Sequence, residues 1–283
     1  MKILVVGLGL IGGSICKALK KYTSHFVVGC DINHDIEYSA LRDVAIDRDF
    51  DGNFEGFDLV IVSLFPEAAE KYLRENIAKF SPDTLITDVC GIKGEFSKRV
   101  KTLAEDSDLR YLGIHPMAGK EFGGYHNSSG DLFLKANFII APFEDSRESD
   151  IELLKNLAAE IGAGKIVVTS PENHDKMIAY TSQLAHIVSS AYVKSPELSL
   201  ECGFSGGSFQ DMTRIATMNE HMWTDLFMQN RENLLYELEI LIENLQKYSD
   251  ALKNFDSDEM LRLIAEGRQL KEDNLRHRLG QPN

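Results

Sequence analysis

Positive charge is in short supply: 30 lysines and arginines stand against 44 aspartates and glutamates, a formal net charge of −14. A chain so acidic repels nucleic acid and anionic membranes, and neither is expected as a partner. The same field sets a condition on any anionic substrate, whose site must supply its own cations. Cysteine is sparse. Cys16, Cys30, Cys90 and Cys202 contain no CxxC pair, and no His/Cys cluster has zinc spacing, so no metal is expected. Scattered thiols of this kind suit small reduced hydrophobes in a cytoplasmic protein. Long apolar runs are missing, and none approaches the roughly 20 residues that span a bilayer. The N-terminal MKILVVGLGLIGGS is apolar, but no secretory cleavage pattern follows it, and its glycine spacing fits a buried strand and turn. Repeats, low-complexity tracts and a compositional linker are also lacking.

What is present is an ordinary globular composition, 43% apolar and 26% charged, over 283 residues, enough for one large domain or two smaller ones. Apolar runs at 2–6, 26–31, 58–64, 84–88, 136–142 and 165–169 predict buried strands, with a short strand at 109–112. Helical spacing predicts helices at 10–21, 66–79, 94–105 and 147–161. This alternation through about residue 170 predicts an α/β domain with a doubly wound, mostly parallel sheet.

From Pro171 onward only helical periodicity remains, so the chain is expected to divide into a dinucleotide-binding domain (1–170) and an all-α domain (171–283). Residues 171–195 carry Met177, Thr181, Leu184, Ala185, Val188, Ala191 and Tyr192 on one stripe. Residues 220–250 carry a broad apolar stripe through Trp223, Phe227, Leu234, Leu238, Leu241 and Leu245, and 257–277 form a charged last helix. The 223–245 stripe is long for one small domain. A core helix would account for it, but the favoured expectation is a helix that also packs across a homodimer.

Gly7-Leu8-Gly9-Leu10-Ile11-Gly12 is a G-x-G-x-x-G between a predicted strand and a predicted helix, and Asp31 ends the next strand at the fingerprint distance. The first glycine permits a tight turn, the second lets the backbone approach a pyrophosphate, and the third lets helix and strand pack closely. The helix N-terminus meets the phosphate charge. Asp31 suits the adenine ribose hydroxyls and repels a 2′-phosphate. No arginine adjoins it, so the expected cofactor is NAD, held by Gly7, Leu8, Gly9, Leu10, Ile11, Gly12, Asp31, Ser63 and Gly91.

His115 follows the short strand at 109–112 and precedes Pro116. At a strand end it would face the ligand crevice, where a neutral imidazole can take a proton from a substrate hydroxyl. A loop histidine bonded to backbone would leave the same pattern. Ser182, His186 and Ser189 share a helical stripe beside Gln183 and Ser190, which either lines a cleft or is solvated. Asp211 and Arg214 lie three apart after a glycine-rich loop. The guanidinium is a natural fork for a carboxylate, and a local surface ion pair is the plainer alternative.

In order along the chain, GLGLIGGS (7–14), DVCGIK (88–93), HPMAGKE (115–121), SQLAH (182–186), GGSFQDMTRIA (206–216) and Met222-Trp223 resemble the prephenate dehydrogenase family and its arogenate-using relatives of tyrosine biosynthesis. The resemblance implies a nucleotide-binding domain followed by a helical dimerisation domain, and NAD-dependent oxidative decarboxylation of a small cyclohexadienyl acid. It implies that His115 is the catalytic histidine acting on the ring hydroxyl at C4 and that Arg214 binds a substrate carboxylate. By the same resemblance His186 lines the substrate pocket, Glu121 sits near its mouth, Gln183 bears on substrate discrimination, and Asp211 lies near the subunit junction.

Two positions depart from the family pattern. Gly91 stands where a serine often bonds the catalytic histidine, and Gln183 stands where histidine is frequent. No strand-bearing extension follows the last predicted helix, so tyrosine control is expected to act elsewhere. Two other readings compete. A β-hydroxyacid dehydrogenase would place a lysine mid-helix, where this chain has His186 between Lys176 and Lys194. A dinucleotide-sensing regulator would need neither His115 nor Arg214.

Overall fold

The computed structural model describes residues 1–278. Six strands form its first sheet: β1 (Lys2–Val6), β2 (Phe26–Cys30), β3 (Arg48–Asp49), β4 (Leu59–Val62), β5 (Leu85–Asp88) and β6 (Arg110–Tyr111). All pair in parallel, in the order β3-β2-β1-β4-β5-β6. The centre of the sheet is apolar, Ile3 to Val6 in β1 and Leu59 to Val62 in β4, because both faces are covered. Side chains alternate between two cores: Ile3, Val5 and Ile61 face one, and Leu4, Val6, Val60 and Val62 face the other. Helix α1 (Leu10–Tyr22) packs Ile15 and Leu19 into the first core. After α2 (His34–Arg42), α3 (Pro66–Asn76) and α4 (Gly94–Glu105) supply Leu73, Phe96 and Val100 to the second. The connection direction reverses between β1 and β4, so a crevice opens beyond their carboxyl ends.

The expectation that one doubly wound sheet runs to residue 170 needs correction. After β6 the chain does not stop at Leu112. It continues as β7 (Gly113–Met117), which pairs antiparallel with β8 (Asn137–Ala141). Helix α5 (Glu148–Glu160) crosses over to β9 (Ile166–Val168), parallel to β8, which completes a separate three-stranded sheet. Gly113 and Pro116 look like strand breakers in sequence. In the fold, Gly113 passes so close to Lys93 that a β-carbon would lie 2.8 Å from its Cδ. Pro116 is tolerated because β7 is an edge strand.

After β9 every element is helical: α6 (Pro171–Ile178), a wide π turn at Ala179–Gln183, α7 (Leu184–Tyr192), α8 (Gly207–Thr213), α9 (Glu220–Gln229), α10 (Arg231–Lys253) and α11 (Ser257–Arg278). Ser170 and Asn219 cap α6 and α9, accepting from the amides of Asn173 and Met222. The apolar stretch 220–250 is two helices, broken at Asn230. The Asn230 side chain donates from Nδ2 to the Asp175 carbonyl at 2.9 Å and to Gln183 Oε1 at 2.7 Å.

The chain divides into two compact units, 1–231 and 232–283. The first holds both sheets and the helices through α9. In the second, the Tyr248 hydroxyl of α10 donates to the Leu263 carbonyl of α11 at 3.3 Å. Among the described residues no helix is long and apolar enough to cross a membrane.

Candidate active site

At the end of β1, Gly7 adopts φ +88°, a conformation L side chains rarely take. A β-carbon there would lie 2.4 Å from the Ser63 carbonyl oxygen, and one at Gly12 would lie 1.9 Å from the Gly7 carbonyl oxygen. At Gly9 a β-carbon would meet nothing within 4 Å. The two outer glycines are thus required by packing, while the middle one faces open space. Gly9 caps α1 with no side-chain hydrogen bond, which leaves the helix N-terminus free for an anion. Asp31, just past β2, accepts from the Leu8 amide at 2.8 Å and the Asn33 amide at 2.9 Å. The buried Glu37 accepts from the Asp31 amide, so a second carboxylate stands beside Asp31. These residues fit a dinucleotide without a 2′-phosphate. Ser63 follows β4 and lies against Gly7 and Gly12, and Leu10 and Ile11 open α1 beside them.

The loop after β5 is organised by a buried ion pair. Lys93 Nζ donates to Asp88 Oδ1 at 2.6 Å and to the Cys90 carbonyl at 2.9 Å, with both charged side chains fully buried. Tyr111 donates its hydroxyl to Asp88 Oδ2 at 2.5 Å. The loop brings Gly91 against His115: a β-carbon at Gly91 would lie 3.9 Å from His115 Cε1 and 3.7 Å from Leu226 Cδ2 of α9.

His115 is not at a strand end, as its neighbours in sequence suggest. It sits at the centre of β7, opposite Ile139. Strand alternation sends Ile114 into the core and leaves His115 half-buried on the other face. Its Nδ1 lies 2.9 Å from His174 Nε2. His174 is buried, and its Nδ1 lies 2.7 Å from Asp175 Oδ1. The Asp175 carboxylate also accepts from the amides of Lys93 and Gly94, each at 2.7 Å, at the N-terminus of α4. Burial holds the His115 imidazole well below its usual pKa, and the neighbouring His174 and Lys93 add to the effect. Burial also lowers His174, with the Asp175 hydrogen bond opposing it. Both rings are therefore neutral near pH 7. No protein group among the described residues bonds His115 Nε2.

A second group of side chains extends from this point along α9. Trp223, one turn before Leu226, stacks on His186 with ring centroids 3.7 Å apart and planes at 28°. His186 donates from Nδ1 to the Ser182 carbonyl at 2.9 Å. Burial lowers its pKa, that hydrogen bond opposes the shift, and nearby Arg214 adds to it. Arg214, at the end of α8, lies 3.9 Å from Glu121 with both side chains at least half exposed. The fold thus sets two groups of side chains within the first unit: Gly91 beside His115 and Leu226, and the Trp223–His186 stack with Arg214 near it and Glu121 beside the guanidinium.

Other expected residues behave differently. Asp211 is exposed, and the local pair with Arg214 does not form because the guanidinium turns to Glu121 instead. Gln183 is 1% exposed, donating to the Leu226 carbonyl at 3.1 Å and accepting from Asn230, so its amide ties α9 to the π turn. On the 171–195 stretch, Met177 and Tyr192 of the expected apolar stripe are half exposed, whereas the polar Gln183 and Ser189 are buried. Sequence reasoning missed His174, Asp175 and Lys93. The adjacent His174-Asp175 at a helix start was the available signal, but the groups they meet across the fold, His115, Lys93 and Gly94, are far away in sequence.

Comparison with known proteins shows the family and the fold. The family described as "Prephenate dehydrogenase, nucleotide-binding domain" matches residues 15–168, and "Prephenate dehydrogenase, dimerization domain" matches residues 170–266. The chain is 31% identical to a prephenate dehydrogenase of Bacillus subtilis over 92% of this chain and 72% of that one. It is 27% identical to a cyclohexadienyl dehydrogenase of Zymomonas mobilis over 95% and 94% of the respective chains. Its structure is similar to that of prephenate dehydrogenase from Aquifex aeolicus in complex with hydroxyphenyl propionate and NAD+. That match has a TM-score of 0.86 at 26% identity and covers 96% of this chain and 98% of that one.

Proposed function

The chain belongs to the prephenate dehydrogenase family, and as an NAD-dependent oxidoreductase of that family we propose that it converts prephenate to 4-hydroxyphenylpyruvate in tyrosine biosynthesis. The observation that carries the substrate assignment is the position of His115. Its ring borders the loop at Gly91 through Cε1 and its Nε2 has no protein partner among the described residues, while Arg214, the fork suited to a carboxylate, stands near His186 in the Trp223–His186 stack.

Prephenate carries a C4 hydroxyl and a C1 carboxylate on one cyclohexadiene ring, with a second carboxylate on its side chain. The Arg214 guanidinium binds a carboxylate through parallel N–H donors and offsets the repulsion expected of a chain with net charge −14. The Trp223–His186 stack forms an aromatic wall for the ring. His115 Nε2, neutral and half-buried, accepts the C4 hydroxyl proton as the carbon becomes a ketone. The nicotinamide, when bound, supplies the hydride acceptor. Loss of CO₂ from C1 then follows from aromatisation and needs no further base. What the chain must supply is alignment and a proton acceptor.

Arogenate is a second reading, supported by Glu121, whose carboxylate stands beside Arg214 where an ammonium group could pair with it. The proposal extends to a cytoplasmic homodimer, with residues 1–170 carrying the cofactor and 171–283 the substrate contacts and dimer contacts. The named dimerization match at 170–266 supports this, as do exposed apolar side chains such as Leu245 and Leu252.

The test is absorbance at 340 nm with prephenate or arogenate, each paired with NAD or NADP. Prephenate with NAD is expected to give the highest kcat/KM. A higher value with arogenate moves the assignment to the second reading, and no reduction with either acid removes both.

A further inference from the structure

Family members often orient the catalytic histidine with a serine hydroxyl, and this chain has Gly91 at that position. A glycine offers no donor or acceptor side chain, yet an imidazole free to rotate or change tautomer makes a poor base. The other face of His115 supplies a substitute. Its Nδ1 is 2.9 Å from His174 Nε2, on α6, 59 residues away in sequence.

The direction of that hydrogen bond follows from the next one. Asp175 already accepts the amides of Lys93 and Gly94, and a carboxylate in that role can only accept again. The hydrogen between Asp175 Oδ1 and His174 Nδ1 therefore belongs to the ring. A neutral His174 then has a bare Nε2, which must accept from His115 Nδ1–H. His115, itself neutral, is left with a bare Nε2, the nitrogen that no protein group occupies.

Building on the reading of His115 as the base, we propose that His174 is its positioning residue. Fixed by Asp175 at the N-terminus of α4, His174 locks His115 in the Nδ1–H tautomer and does the work of the hydroxyl that Gly91 lacks. The α4 N-terminus, Asp175, His174 and His115 form one directed line of donors and acceptors. It begins at the helix amides and ends at the lone pair offered to the substrate hydroxyl. His174 touches neither substrate nor cofactor, so it acts only through His115.

Two measurements on the full-length protein test this. Nitrogen-15 spectra of the wild type, assigned through His115→Asn and His174→Ala, report which ring nitrogen carries the proton without reference to turnover. The expected result is His115 with a protonated Nδ1 and a bare Nε2. In steady-state kinetics, His174→Ala is expected to lower kcat by about 10- to 100-fold while the Kd for NAD changes less than about threefold. His174→Gln keeps an acceptor for His115 and a donor for Asp175, and is expected to recover part of the loss. A His115 proton on Nε2 in the wild type overturns the proposal. So does a His174→Ala enzyme that binds NAD normally and turns over within twofold of wild type. If His115→Asn keeps full turnover, the parent reading fails instead, and the spectra still decide the direction of the hydrogen bond.

Discussion

Two single-methyl additions in the glycine turn separate the demands of the fold from those of the cofactor. In Gly12→Ala the new carbon would be built 1.9 Å from the Gly7 carbonyl oxygen and 3.0 Å from Ser63 Cβ. Neither neighbour is the end of a flexible chain, so the start of α1 must move away from β1 by more than an ångström. Overpacking of this kind costs about 1–3 kcal/mol. For a chain of this size each 1 kcal/mol is worth roughly 2–4 °C in Tm, so a fall of roughly 2–12 °C is expected.

In Gly9→Ala the same methyl meets nothing within 4 Å, and the backbone φ of −71° is open to alanine. Stability should therefore stay within about 0.5 kcal/mol of wild type. The methyl instead fills the space through which a pyrophosphate reaches the N-terminal amides of α1. A loss of about 1.4 kcal/mol in binding is a tenfold rise in Kd, and at least that is expected. Thermal unfolding without ligand and calorimetric titration with NAD read the two effects apart. The reasoning fails if Gly9→Ala costs as much stability as Gly12→Ala, or if it binds NAD as tightly as wild type.

Other perturbations follow from the same geometry. His115→Asn should keep NAD affinity and lose about 10²–10⁴-fold in kcat, the usual worth of a positioned base; unchanged turnover would remove His115 from the mechanism. Arg214→Gln should act mainly on KM, and an unaltered KM would exclude it as the carboxylate anchor. Because His115 and His174 have folded-state pKa values below the ordinary 6.5 or so, the unfolded chain binds protons in that range that the native chain does not. Stability should therefore fall as pH drops below about 6.5 toward the folded-state values, while kcat/KM holds until His115 itself is protonated. An acid limb in kcat/KM at 6.5 or above would contradict this. Lys93→Met leaves the fully buried Asp88 without its cation and should cost about 3–5 kcal/mol in chemical denaturation; a cost under about 1 kcal/mol would mean the pair does not organise the loop.

The nucleotide-binding half was legible because its signals are local. Buried parallel strands read as continuous apolar runs, and Gly7 and Gly12 of the turn each have a steric reason at fixed spacing. The second sheet was not legible. Gly113 and Pro116 carry the composition of a turn, and only the edge position of β7 and the nearness of Lys93 make them parts of a strand. The 171–195 stretch misled for a different reason. A constant period assigns Met177, Thr181 and Leu184 to one stripe, but the π turn shifts the phase, so that Leu184 is buried while Met177 and Thr181 face out. In the site, His115 and Arg214 were visible as residue types in suggestive places. The pairing of His115 with His174 was not, because nothing in a linear pattern reports a hydrogen bond between residues 59 apart.

The π turn also governs what a length change would do. His174 and His186 are 12 residues apart, which on an unbroken α-helix at about 100° per residue leaves their directions about 120° out of step. One residue absorbed in the wide turn removes about 100° of that and brings both rings to nearly the same side. Removing one of the exposed residues Tyr180 or Thr181 would let the segment relax to a regular helix, yet 11 regular steps leave the rings only about 20° apart. A single-residue deletion there should be far milder than one elsewhere between the two histidines. A single-residue insertion should be the damaging change, swinging His186 away from Trp223 while His174 keeps its hold on His115.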